Sequence, residues 1–128
     1  MKNRIIAITL ATIWISLSEV FRNSFLLHSH WIEHYQNLGQ IFPEQPINGM
    51  VWGIWALVFA TVMYFISQKF SFNASLILCW VIGFVMMWLV IGNLGVLPFS
   101  ILLWAIPLSI LEVYISLFIL KFFTKTKG

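Results

Sequence analysis

Charge is what this sequence has least of. Only 9% of its 128 residues are Asp, Glu, Lys or Arg, where a soluble domain carries roughly 25%. That excludes a soluble globular domain. It excludes nucleic-acid binding too, because seven basic residues scattered at segment ends form no patch that could follow a phosphate backbone. Cysteine is almost absent. Cys79 stands alone within an apolar run, so no internal disulfide and no CxxC pair can form, and it reads as a small packed residue. Neither a Gly-rich phosphate loop nor a nucleophile elbow occurs.

What the chain has in excess is apolar surface, with 61% hydrophobic and 17% aromatic residues. A membrane span needs about 20 mostly apolar residues, and four segments qualify, at about 5–26, 49–68, 74–92 and 97–120. The expected fold is all-α, a polytopic membrane bundle of four transmembrane helices forming one domain over 1–128. Lys2 and Arg4 before an apolar stretch, with Ser16-x-Ser18 beyond, look like the start of a signal peptide. The apolar stretch continues to Leu27, so an uncleaved first span is expected. Asn73 is placed to N-cap the third helix. Pro98 sits near the start of the fourth, where its missing N–H costs little, and Pro107 near the middle, where it should kink the helix.

Four crossings put Lys2, Arg4, Lys69, Lys121, Lys125 and Lys127 on one side, with Arg22 the exception among the basic residues. The positive-inside rule then predicts a multi-pass protein with both termini cytosolic. The loop at about 27–48 and the turn near 93–96 face outward. The lipid bilayer is the implied partner, and the compact length suggests a bacterial inner membrane.

The polar residues of the first segment fall in a stripe: Thr9, Thr12, Ser16, Glu19 and Asn23 recur at spacings of 3, 4, 3 and 4. Glu19, Arg22 and Glu112 are the ionisable residues inside the spans. Facing lipid, each would cost at least about 2.5–3.5 kcal/mol, so all three should turn inward. Arg22 is the natural partner of Glu19 one turn below, and Ser109, Glu112 and Ser116 share one face of the fourth helix. At 1.5 Å per residue Glu19 lies about 21 Å from its cytosolic end and Glu112 about 13 Å from its own, so no direct carboxylate contact is expected. Two outcomes are open: a locked ion pair, or a pocket of Glu19, Arg22, Asn23, Ser109, Glu112 and Ser116 that binds a cation, a proton or a ligand head group. Four helices and a first-helix glutamate are similar to small multidrug transporters. Arg22 beside the acid and the one-sided charge bias depart from them, and no family is assigned.

Gly49, Gly53, Ala56 and Ala60 make a small-residue stripe on the second helix, including a GxxxG. Such a stripe lets helices approach closely, within the monomer or across a homodimer seam. Cys79, Gly83, Met86 and Val90 are expected on one face of the third helix. In the outward loop, Leu27, Trp31, Tyr35 and Leu38 oppose His30, Glu33, His34 and Asn37, the pattern of a short interfacial helix around 28–38. His30-Trp31-Ile32-Glu33-His34 also spells the HxxEH of inverted zincins: two histidines at i and i+4 to grip zinc, Glu33 as base, and Glu44 the one free acid for a third ligand. No other cofactor is expected, and three neighbouring histidines do not suit haem. Three functions follow as expectations: a small carrier or ligand-binding protein using the intramembrane pocket, a membrane enzyme using the His/Glu cluster, and an accessory subunit of a larger complex.

Overall fold

Inside hydrocarbon a chain must satisfy its own backbone, and a helix is the simplest way to do so. The computed structural model describes residues 2–125, so Lys127 of the basic set lies outside the described residues. The described chain is all-helical. Helix α1 spans Lys2–Leu26, α3 Pro46–Lys69, α4 Phe72–Asn93 and α5 Phe99–Thr124, all four long and apolar enough to cross a membrane. This is the build of an integral membrane protein. The short helix α2, His28–Asn37, lies between the first two.

The four long helices run up and down, and polar contacts fix which ends meet. At one end Lys121 Nζ donates to the Phe70 carbonyl over 3.3 Å, and the Arg4 guanidinium sits 5.9 Å from the Tyr64 ring centre. At the other end α2 folds back over the bundle. The central core joins Ala7, Ala11 and Ile15 of α1 to Ala56, Ala60 and Met63 of α3 and to Val113, Leu117 and Leu120 of α5. Alanines at the crossings let backbones come close, which is how helices associate where lipid is as apolar as leucine. A second core under α2 holds Leu27, Leu97, Ile101 and Ala105.

Two helices carry a turn of π-helix, which adds one residue to the turn. In α1 it covers Phe21–Leu26, and the Leu27 N–H reaches the Arg22 carbonyl at 2.8 Å. In α4 it covers Val81–Val85. These turns explain where 3.6-residue periodicity fails. The expected α4 face holds only through Cys79 and Gly83, which are buried; Met86 and Val90 are exposed, and Met87 and Trp88 take their places against the core. Gly83 meets the Phe59 ring so closely that a Cβ there would collide with it.

Other expectations change in detail. Ser71, not Asn73, caps α4, accepting from the Ala74 N–H at 3.3 Å. The extended backbone at Ser71 starts the helix two residues earlier than expected. Thr9 is exposed while Ala7 and Ala11 are buried; along the polar stripe of α1, Thr12 and Ser16 are half-buried and Glu19 and Asn23 buried. Pro107 sits on an exposed face within a continuous α5 helix. Gly95 has φ +77° in the turn between α4 and α5, a conformation that side chains disfavour.

Candidate functional site

The charged residues of the spans converge. Arg22 Nη2 donates to Glu19 Oε1 at 2.6 Å, and Arg22 Nη1 stands 3.6 Å from Glu112 Oε1. All three side chains are almost wholly buried, with Glu112 at 0% exposure. Glu19 Oε2 accepts from Asn23 Nδ2 at 2.9 Å, and Asn23 Oδ1 accepts from Trp31 Nε1 of α2 at 3.1 Å. A single polar chain therefore runs Trp31, Asn23, Glu19, Arg22, Glu112. The Arg22 guanidinium also lies 5.2 Å from the Phe84 ring centre, an orientation that favours a cation by up to about 2 kcal/mol when desolvated.

Counting residues along the helices leaves an axial gap between Glu19 and Glu112, and Trp14 marks it: its Nε1 donates to the Glu112 carbonyl at 3.0 Å, more than a turn below Glu19. Side-chain direction closes that gap. Side chains of a helix lean toward its N-terminus. Since α1 and α5 are antiparallel, Glu19 and Arg22 lean one way and Glu112 leans back to meet them. Arginine's length and the π-turn at Phe21–Leu26, which brings Arg22 and Asn23 inward together, complete the contact.

The serines of α5 do not reach the Glu112 carboxylate. Ser116 Oγ donates to the Glu112 main-chain carbonyl at 2.7 Å. Ser109 Oγ accepts from Trp80 Nε1 and donates to the Ile106 carbonyl, both at 2.9 Å. Both Glu112 carboxylate oxygens and Arg22 Nη1 consequently lack a hydrogen-bond partner. Two carboxylates surround one guanidinium.

Above the cluster, α2 and the loop behind it form an aromatic cap. Phe42 stacks on Trp31 at 5.6 Å between ring centres and meets Tyr35 edge-on at 5.2 Å. The three histidines hold this cap in place separately. His28 Nε2 pairs with Glu44 Oε1 at 2.8 Å, His30 Nδ1 with Ser100 Oγ at 2.9 Å, and His34 Nε2 donates to the Gly95 carbonyl at 2.8 Å. In this arrangement His30 and His34 fasten α2 to the α4–α5 turn, and Glu33 is exposed. Among the described residues no group of three or more His, Cys, Asp and Glu is placed to hold a metal ion. The HxxEH spacing is thus turned to stapling: a ring nitrogen of each histidine is engaged by the neighbouring turn.

Between α1 and α3 lies a cavity of about 460 Å³. From α1 it is lined by Ser16, Glu19 and Asn23, from the cap by His28, Phe42 and Glu44, and from α3 by Gly49, Trp52 and Gly53. Glu19 and Trp52 also border a smaller hollow of about 170 Å³. The small-residue stripe of α3 divides here. Ala56 and Ala60 are packed in the core, whereas a Cβ at Gly49 or Gly53 would meet nothing within 4 Å. Instead of seating a helix within the bundle, the two glycines leave the cavity wall bare.

Phe42 and Trp52 are site residues that sequence reasoning missed, and Trp31 was placed only on the apolar face of the interfacial helix. Their signal was present only as aromatic enrichment near segment ends, which also fits interfacial anchoring. No protein family, curated protein or solved structure matches the chain.

Proposed function

We propose that this is a small carrier or ligand-binding protein of the membrane, whose ligand occupies the cavity beside the Glu19–Arg22–Glu112 cluster. The observation that carries the reading is the juxtaposition: Glu19, one member of an almost fully buried charged cluster, lines a cavity of about 460 Å³. Cavities of roughly 300–1,000 Å³ with a few convergent polar groups are where small molecules bind. Ionisable groups inside a span are costly to keep and mark pathways or sites. A bundle lock alone needs only Arg22 and one acid.

In this reading the termini are cytosolic and the cavity lies in the outer leaflet under the aromatic cap. The basic residues at the opposite end support that orientation. Glu19 and Asn23 touch the ligand, while Arg22 and Glu112 fix the charge and position of Glu19 from behind.

The test is ligand binding and flux with the purified protein in proteoliposomes. Glu19→Gln should abolish both, and Glu112→Gln should weaken both at least tenfold, with each variant retaining helical content and monodispersity. Retention of binding and flux in both folded variants would overturn the reading.

A further inference from the structure

Taking the ligand cavity as read, we infer that its ligand is a small organic monocation, an ammonium compound carrying an apolar or aromatic body. Charge, its distribution and shape point to that class. The first is charge. Glu19 is the member of the buried cluster that reaches the cavity, so the cluster presents a carboxylate to whatever enters it. Glu44 adds a further carboxylate to the cavity lining, half-exposed and paired only with His28.

The second feature is the reach of the field. Glu19, Glu33, Glu44 and Glu112 are the acids of the chain, and Arg22 is the single Lys or Arg set among them. The other basic residues of the described chain are Lys2, Arg4, Lys69, Lys121 and Lys125, at the far ends of the long helices. A cleft lined by one sign of charge between low-dielectric walls concentrates the opposite ion. The third feature is shape. The cavity is too roomy for a bare inorganic ion, and no ligand cluster for a metal exists among the described residues. Trp52 and Phe42 line the cavity, and aromatic rings attract ammonium groups. Gly49 and Gly53 leave room for that body against α3.

The experiment compares three probes of one size and different charge: 2-phenylethylammonium, 2-phenylethanol and phenylacetate, titrated calorimetrically into the purified full chain in nanodiscs. The ammonium should bind at least tenfold tighter than the other two. Glu44→Gln lies outside the buried cluster and should narrow that preference by about fivefold, the upper range for an exposed ion pair. Gly53→Leu, whose side chain enters open space, should abolish binding of the ammonium without changing helical content. Equal binding of all three probes, lost in Gly53→Leu, would overturn the cation assignment and leave the cavity reading standing. No binding of any probe, or binding indifferent to Gly53→Leu, would overturn both.

Discussion

At Arg22 the energetics of the fold and of the site meet. The Arg22 guanidinium is held by one charge-assisted hydrogen bond to Glu19, about twice as strong as a neutral one, and stands near Glu112 without a hydrogen bond. Its removal leaves the acids buried without a counter-charge. Arg22→Ala should therefore cost about 3–5 kcal/mol, the range for breaking a buried pair by deleting one partner. Neutralising the acids as well, in Arg22→Ala with Glu19→Gln and Glu112→Gln, should recover much of that loss. Denaturant unfolding in detergent micelles distinguishes the cases, and a single variant within about 0.5 kcal/mol of the parent would show that the pair is not what holds the cluster. Arg22→Lys should not restore the parent, since an ammonium cannot bond Glu19 and approach Glu112 with separate nitrogens of one planar fork.

At the scale of helices, the π-turns decide what faces what. In α4 the turn at Val81–Val85 puts Gly83 and Phe84 together on the buried side. Phe59 then packs on bare backbone at Gly83, and Arg22 on the Phe84 ring. Gly83→Ala should destabilise the protein by about 1–3 kcal/mol through overpacking, because Phe59 is pinned between Trp55 and Phe84 and cannot swing aside. Adding Phe59→Leu should reverse part of the loss; thermal unfolding of the two variants reads the difference, and additive losses would mean the contact is not the cause. The same turns mark the limit of what periodicity can tell. The four apolar runs, and the inward turn of Glu19, Arg22 and Glu112, were legible because a charge in an apolar run has few stable places to point. The far half of α4 was not. A π-turn leaves no compositional trace, so Met86 and Val90 looked equivalent to Cys79 and Gly83 until the extra residue in the turn rotated them outward.

For the whole molecule, the two ends have opposite chemical character. One end sets Arg4 against Tyr64 and Lys121 against Phe70 and Phe72, with Lys69 at the end of α3. The other is capped by α2, with histidines fastened to Ser100, Gly95 and Glu44 and aromatic rings beneath. None of those fastenings could be read from spacing, because each joins residues far apart in the chain. The HxxEH spacing and the Gly49–Gly53 pair had ready readings as a metal grip and a helix seam. Within this chain His30 and His34 contact Ser100 and Gly95, and Gly49 and Gly53 line the cavity. The charge bias, in contrast, was fully visible in the sequence, and it makes a prediction about orientation. Positive residues resist translocation, so the Lys/Arg-rich end should stay in the cytosol and the α2 cap should face outward. Cys79 is the chain's one cysteine and is buried in the core, so Cys79→Ala gives a background free of thiols. On that background a membrane-impermeant maleimide added to intact cells should label Ser29→Cys and spare Lys125→Cys. Permeabilising the cells should expose the second site. The reverse pattern would place the cavity at the cytosolic face and reverse the direction from which its ligand arrives.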